Sequence, residues 1–287
     1  MRDHPGTERR EVDVGDGLLL HVALSGAGPP LVLLHGFTGS TETWAPLRVP
    51  LGAAHSVIAV DLPGHGRSTA PADSRRYALN RFADDLARVL DAVTIECVAL
   101  LGYSMGGRAA LRFALSHGDR VAALVLESTS PGISDPVRRN ERLASDNALA
   151  DAIERDGIQA FVERWEKLPL WESQRAMSDA TRARLRAQRL ANQPRGLANS
   201  LRGAGAGADL PVLDLLRAIR APTLLVAGAL DAPYVESARL LETSIPDVQM
   251  IVVPEAGHAV HLERPSEAVA ATIGFLRDVP SVAGRWC

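Results

Sequence analysis

The sequence of 287 residues predicts an α/β fold: a mostly parallel twisted sheet flanked by helices, with a helical lid inserted in it. Short apolar runs alternate with longer amphipathic segments, the rhythm of a parallel sheet covered on both faces. Between about Ser130 and Leu210 the rhythm lapses into arginine- and glutamate-rich helical segments without a convincing strand, and afterwards it resumes. The flanking parts therefore belong to one sheet. Residues 1–130 and 211–287 form the core domain and residues 131–210 the lid.

In chain order the first strands are "GLLLHVAL", "PPLVLLHG", "HSVIAVDLPG", "CVALLGYS" and "VAALVLES", each a short apolar run of the kind a buried strand needs. "LNRFADDLARVLDAV" spaces its apolar residues three and four apart, so one helix face is apolar. "MGGRAALRFALSHG" leaves the fourth strand as a second helix, and the lid ends in the flexible "RGAGAGADLP". "APTLLVAGALD" and "VQMIVVPEAGH" restore the strands, and "SEAVAATIGFLRDV" closes the chain as a helix. There is no internal repeat and no low-complexity segment.

Composition narrows the function. With 46% hydrophobic and 23% charged residues the chain is globular and long enough to bury a core. A formal charge of -3 gives no field to attract nucleic acid or an anionic membrane, so neither partner is expected. The N-terminal "MRDHPGTERREVDVGDG" is polar where a secretory leader is apolar, and no run reaches the ~18 apolar residues of a membrane span, which predicts a cytoplasmic protein. A monomer or small homo-oligomer is expected. Cys97 and Cys287 show neither metal-ligand spacing nor a disulfide pattern. Lys167 is the only lysine, so the basic side chains are almost all guanidinium groups; a GC-rich coding bias accounts for this over the chain as a whole, and two-pronged grips on carboxylates are the alternative for individual arginines.

Gly102-Tyr103-Ser104-Met105-Gly106 fits G-x-S-x-G, with an apolar strand running into it and a helix leaving it. That is the strained turn that lifts a serine oxygen above a sheet. A serine hydroxyl is a weak nucleophile or base and needs an imidazole to take its proton and a carboxylate to orient the imidazole. Asp231 and His258 follow the two late strands, in the order serine, acid, histidine. Glu127 is a competing acid and His261 a competing histidine. Negative charge developing on a substrate oxygen needs preorganised donors. The amide of Phe37, in the turn after "LVLL", and the amide of Met105, at a helix N-terminus, are placed to supply them. His35 reads as a turn residue and His65 as a supporting one.

"LHGF", "DLPGHGRS", "GYSMGG" and "GHAVHLERP" together resemble the α/β-hydrolase superfamily over nearly the whole chain. "LHGFTGSTETW", "GYSMGGRAALRFAL", "LESTSPGI", "FVERWEKLPLW" and "GLANSLRG" are similar, more narrowly, to the menaquinone-pathway family that makes 2-succinyl-6-hydroxy-2,4-cyclohexadiene-1-carboxylate. That resemblance implies a carbon-oxygen lyase that releases pyruvate from an enolpyruvyl precursor carrying several carboxylates. It also implies substrate contacts from Tyr103 and Arg108, and from Arg142, Trp165 and Arg189 in the lid. Arg108 stands four residues after Ser104 on the same helix and so near the same face. Arg138, Arg139, Arg186 and Arg195 are alternatives to the lid arginines, and Trp165 has an alternative role as an anchor between lid helices. "GALDAPY" is less charged than the corresponding turn of the family, although the aspartate is kept.

The mechanism expected is proton removal: His258, oriented by Asp231, deprotonates Ser104, whose alkoxide takes a ring proton. The alternative is a serine hydrolase of a small acidic ester, or of a carbon-carbon bond in a dienoic keto acid, on the same residues. No cofactor or metal is expected, since no dinucleotide fingerprint, phosphate loop or metal-ligand cluster is present in the sequence.

Overall fold

The structure, a computed structural model, describes residues 6–279. Eight strands, β1 (Glu8–Asp13), β2 (Leu19–Ser25), β3 (Pro30–Leu34), β4 (Ser56–Val60), β5 (Val98–Tyr103), β6 (Val121–Glu127), β7 (Thr223–Gly228) and β8 (Val248–Val253), form one sheet in the order β1-β2-β4-β3-β5-β6-β7-β8. β1 and β2 form an antiparallel hairpin and β2 runs antiparallel to β4; from β4 to β8 all neighbours are parallel. The helices are α1 (Ala45–Gly52), α2 (Leu79–Ala92), α3 (Met105–Ser116), α4 (Pro136–Trp165), α5 (Asp179–Leu190), α6 (Pro194–Ala204), α7 (Ala232–Glu242), α8 (Val260–Glu263) and α9 (Pro265–Arg277).

Successive strand residues point to opposite faces, and both faces are covered. Val32 and Leu34 of β3, Ile58 and Val60 of β4 and Leu100 of β5 pack with α2 and α3. Leu31 and Leu33, Val57 and Ala59, and Leu101 pack on the other side with α1 and α9. Burial on both sides is why these strands read as unbroken apolar runs. β1 escapes that pattern: "ERREVD" is an edge strand in which Val12 alone is buried. Cys97 takes part in a disulfide, against the sequence expectation, and Cys287 lies outside the described residues. Among the described residues no helix is long and apolar enough to cross a membrane.

Between β6 and β7 the chain is helical, with its own small core of Ala150, Ile153, Phe161, Val162, Leu197 and Leu201. Inside α4 the helix breaks at Gly157, whose φ of 81° turns the two halves apart. Phe37, partly buried, packs against both this core and the sheet core, so it ties the insertion to the strand ends. α6 sits close on the loop after β4: a Cβ at Gly196 would lie 2.1 Å from the Gly64 carbonyl oxygen, and only glycine permits the approach.

That loop after β4 carries two buried titratable groups of opposite sign. Asp61 accepts the Arg67 amide at 2.8 Å and the Thr41 amide, yet burial pushes its carboxyl up from 3.8 to about 6. His65 donates from Nδ1 to the Pro63 carbonyl at 3.0 Å, and burial holds the ring down at about 4 from 6.5. The unfolded chain takes up the histidine proton first, so the stabilisation from neutral His65 is complete above pH 6.5 and is lost as pH falls towards about 4. Asp61 works the other way: its contribution is complete below pH 3.8 and is lost as pH rises through about 6. Each is worth about 3 kcal/mol at 1.36 kcal/mol per pKa unit, so in the intact protein the two largely offset each other. His65→Asn, which keeps a donor for Pro63, therefore gains stability relative to the unsubstituted protein by about 3 kcal/mol between pH 7 and pH 4. Urea unfolding at both pH values measures this, and a difference that does not change with pH contradicts it.

Candidate active site

β5 ends at Tyr103, α3 begins at Met105, and Ser104 between them has φ 53° and ψ −111°, a left-handed conformation that a serine adopts only under constraint. The constraint is on both sides of the peptide. The Ser104 amide donates to the Glu127 carbonyl at 2.9 Å, and its own carbonyl accepts Thr129 Oγ1 at 2.8 Å and the amides of Gly107 and Arg108. Gly106 lets α3 start this close to β3: a Cβ there would lie 2.0 Å from the Leu34 carbonyl oxygen.

The parallel sheet delivers the other two groups to the same edge. Asp231 follows β7 and opens α7, and His258 follows β8. His258 Nε2 lies 3.0 Å from Ser104 Oγ and His258 Nδ1 lies 2.7 Å from Asp231 Oδ2. Both His258 and Asp231 are buried. With the carboxylate accepting from Nδ1–H, Nε2 is left as the acceptor facing the serine, so the hydroxyl proton has a route to the imidazole. Glu263, three residues beyond Val260, holds the histidine loop: its carboxylate accepts the amides of Gly257 at 2.7 Å and Ala259 at 3.2 Å, the residues on either side of His258.

The competing acid and histidine are engaged with one another. Glu127 Oε1 accepts both the His261 amide at 3.2 Å and Nδ1 at 2.6 Å, in a buried pair beneath the serine turn. His35 is a turn residue: Nδ1 donates to the Gly36 carbonyl at 2.8 Å and Nε2 accepts the Leu62 amide at 3.0 Å. Burial keeps its ring well below the ordinary histidine value, hence neutral.

A cavity of about 120 Å³ opens above Ser104, and Phe37, Met105 and His258 line it. Met105 is the first residue of α3, so its amide has no acceptor within the helix, and the Phe37 amide has none among the described hydrogen bonds. Tyr103 lines the cavity with its ring centred 5.3 Å from His258, and burial drives its phenol well above the ordinary range. Arg108 and Arg142 both line the cavity. Each is already gripped: Arg108 donates to Asp209 Oδ2 at 3.1 Å and to the Ala204 carbonyl at 2.8 Å, and Arg142 to Asp146 Oδ1 at 2.8 Å. Trp165 also lines the cavity, its ring 5.4 Å from Phe37 and from Phe161 one turn earlier on α4, and it packs against the small core of the insertion.

Arg189 is not brought into this cavity. It is buried behind Trp171, 5.2 Å from that ring, and bonds Glu166 and Gln174. Its helix, α5, turns this face towards the Glu166 end of the insertion. The alternative arginines do not line it either: Arg138 is exposed near the start of α4, Arg139 bonds the Ile133 carbonyl, Arg186 bonds Glu166 and Arg195 bonds the Ala70 carbonyl. Two aromatic side chains absent from the sequence reading line the cavity, Tyr234 with its ring 4.4 Å from His258 and Trp171 at 5.6 Å. The tyrosine in "GALDAPY", one helical turn after Asp231, was the available signal for the first. Burial raises the Tyr234 phenol above its ordinary value. Among the described residues no group of three or more His, Cys, Asp or Glu side chains is placed to hold a metal ion.

A serine held in a left-handed turn between a parallel strand and a helix, in hydrogen-bond contact with a histidine and an aspartate from later strand ends, defines an α/β hydrolase. The chain belongs to the alpha/beta hydrolase fold family, which its residues 29–265 match. Among curated relatives, a Bacillus subtilis (strain 168) protein named provisionally as a 2-succinyl-6-hydroxy-2,4-cyclohexadiene-1-carboxylate synthase is 41% identical over 88% of this chain and 93% of its own length. The synthase of that name from Salmonella heidelberg (strain SL476) is 30% identical over 90% of this chain and 97% of its own. Among solved structures, MenH from S. aureus superposes with a TM-score of 0.85 at 32% identity, covering 96% of this chain and 99% of that one. A thermophilic esterase from Thermogutta terrifontis, with malate bound, also reaches 0.85, at 29% identity over 96% of this chain and 100% of that one.

The close approach at Gly106 carries a prediction. Its would-be Cβ meets the backbone of a buried strand, which cannot swing aside, so Gly106→Ala costs about 3 kcal/mol in unfolding free energy, the upper range for overpacking. Urea denaturation measures it; an unchanged midpoint shows that α3 can shift away from β3 at no cost.

Proposed function

We propose that this chain is a carbon-oxygen lyase that eliminates pyruvate from 2-succinyl-5-enolpyruvyl-6-hydroxy-3-cyclohexene-1-carboxylate, giving 2-succinyl-6-hydroxy-2,4-cyclohexadiene-1-carboxylate for menaquinone biosynthesis. The observation that carries the reading is a serine, histidine and aspartate relay opening into a cavity walled by two guanidinium groups. A relay alone suits many reactions. Arginines beside it select a substrate with carboxylates, because a guanidinium meets a carboxylate with two parallel hydrogen bonds. The relatives named as synthases of this product support the same choice.

On this reading Asp231 orients His258, and His258 takes the proton of Ser104. The Ser104 alkoxide removes the proton on the ring carbon that bears the succinyl group, the most acidic ring position because it adjoins a ketone. The electron pair enters the ring, the existing double bond shifts by one position, a second forms, and the carbon-oxygen bond to the enolpyruvyl group breaks. The leaving enolate of pyruvate takes up a proton, so one proton leaves the ring and one is returned to the leaving group. Charge on the ketone oxygen is held by the Phe37 and Met105 amides. Tyr103, Arg108, Arg142 and Trp165 contact the substrate. Arg189 serves by fixing Trp171 at the cavity wall, in place of the direct contact that the resemblance implied.

Residues 131–210 act as the lid over a core of 1–130 and 211–287. The cavity of about 120 Å³ is well below the roughly 300–1,000 Å³ of sites that enclose ligands of this size, so the lid opens for entry. The protein works in the cytoplasm as a monomer or small homo-oligomer, on a small molecule and without nucleic acid or membrane partners.

The same relay hydrolyses esters in other members of the fold, and the esterase with TM-score 0.85 makes that the competing chemistry. A lactate-dehydrogenase-coupled assay of pyruvate release from the enolpyruvyl substrate, beside turnover of short-chain nitrophenyl esters, decides between them. Pyruvate release is expected to dominate, and brisk ester hydrolysis without pyruvate refutes the proposal. Within the pyruvate assay Arg108→Gln is expected to lower kcat/KM by roughly 10–100-fold, the worth of hydrogen bonds to a charged group, mainly through KM.

A further inference from the structure

The turn that carries the Phe37 amide is built against the conformational preference of its own sequence. Gly36 to Gly39 is closed by the Gly39 amide donating to the Gly36 carbonyl at 3.0 Å. Thr38, the third residue, has φ 67°. A type II turn puts glycine or asparagine at that position, because a β-branched side chain there is strained. Thr38 is buried, so the surroundings hold it in place.

From below, His35 Nδ1 donates to the Gly36 carbonyl, which fixes the first peptide of the turn. The hold on Thr38 comes from the lid. Asn192, buried in the connection between α5 and α6, donates from Nδ2 to the Thr38 carbonyl at 2.9 Å. Its Oδ1 accepts the Gly66 amide at 3.2 Å, so the amide group is oriented at both ends and spans two loops of the core. Gln188, one turn earlier, donates to Thr43 Oγ1 at 2.6 Å and pins the end of α5 beside the same turn. The Phe37 ring is caught between Trp165 and Phe161 of the lid, so backbone and side chain of the turn are gripped from the same side.

We propose that Asn192 is a positioning residue for the oxyanion site: by holding Thr38 in the left-handed conformation it aims the Phe37 amide into the cavity, so that the donor depends on the lid being docked at this corner. The inference rests on the oxyanion role given to Phe37 above. Without Asn192, Thr38 relaxes towards negative φ, and the neighbouring torsions, those of Phe37 among them, absorb the rotation. An oxyanion donor acts on charge that exists in the transition state, so the loss falls on kcat and spares KM.

The experiment is a cycle of four proteins: unsubstituted, Asn192→Ala, Thr38→Gly and the double variant, each checked for folding by thermal denaturation and assayed for kcat and KM of pyruvate release. Asn192→Ala is expected to lower kcat by roughly 10–100-fold, short of the ~10²–10³ for complete loss of one donor, with KM within about 3-fold. Glycine holds φ near +67° without strain, so in the Thr38→Gly background the same substitution is expected to cost less than about 3-fold. Equal losses in the two backgrounds, or an effect on KM alone, overturn the inference and leave the synthase reading standing. Should the unsubstituted protein release no pyruvate, the synthase reading falls, and the same cycle on a nitrophenyl ester, which needs the same donors, tests Asn192. A crystal structure of Asn192→Ala supplies the readout independent of activity: Thr38 is expected at negative φ, and Thr38 still near +67° refutes the proposal.

Discussion

Everything at the candidate site depends on holding Ser104 in a backbone conformation that a serine left to itself avoids. The cost of such a torsion is on the order of 1–3 kcal/mol and must be met by the structure around it. β5 meets it by being buried on both faces between β3 and β6, with every residue from Val98 to Tyr103 buried. The turn is then fixed by the Glu127 carbonyl, by Thr129 and by the start of α3 against β3. Once the turn is rigid, two consequences follow without further devices. Met105, which lines the cavity, opens α3, so its amide is left without an acceptor in the helix and lies at the positive end of the helix dipole. And because β5, β7 and β8 run in parallel, their C-terminal ends share one edge, which is where His258 and Asp231 emerge.

The charges facing the cavity are arranged with the same economy. Two guanidinium groups left unpaired in a small closed space would repel each other and resist burial. Asp209 bonds both Arg108 and Arg112, at 3.1 and 2.8 Å, and Asp146 holds Arg142 at 2.8 Å. A guanidinium carries five N–H donors, so a group bonded to one or two oxygens retains others for a ligand while its orientation is already fixed. Preorganisation of this kind reduces what binding must spend on ordering side chains. It also ties the insertion to the core, since Asp209 belongs to the segment that returns from α6 to the sheet and Arg108 and Arg112 to α3. The Phe37 turn makes a second such tie. The insertion and the elements that carry the relay are joined by these contacts, although they are separate in the chain.

That unity explains what could and could not be seen in the amino-acid order. β3 to β7 announce themselves because burial on two faces demands unbroken apolar runs, β8 is apolar although it is an edge strand with only Val253 buried, and the serine, aspartate and histidine announce themselves because each follows an apolar run. β1 gave no such signal, since an edge strand with one buried residue is free to be charged elsewhere. Arg108 was legible from its spacing to Ser104 on one helix. Arg189 was misplaced: its direction is decided by how α5 packs on Glu166 and Trp171, contacts across the lid that no local spacing encodes. Trp171, Glu263, Asp209 and Asn192 share that character. Each acts through a partner distant in sequence or through backbone amides, and a side chain that bonds backbone leaves no residue pattern to recognise.

The walls of the cavity bear on which chemistry the relay performs. Hydrolysis through an acyl-enzyme needs a second reactant, a water molecule, to reach the carbonyl carbon after the first product has gone. Elimination needs none, because the proton and the electrons are redistributed within one substrate. Phe37, Trp165, Trp171 and Tyr234 surround the serine with aromatic surface, and His258 and Asp231 are buried beneath it. Apolar surface of this kind offers water few hydrogen bonds, and where water is scarce the hydrogen bonds on a developing enolate are stronger. On the proposed reading an alkoxide formed at Ser104 in these surroundings is poorly solvated and correspondingly basic, while the Phe37 and Met105 amides lower the cost of the charge it creates on the substrate. On that reading these walls favour a base over an acyl-enzyme, and the arginines present the ring to it.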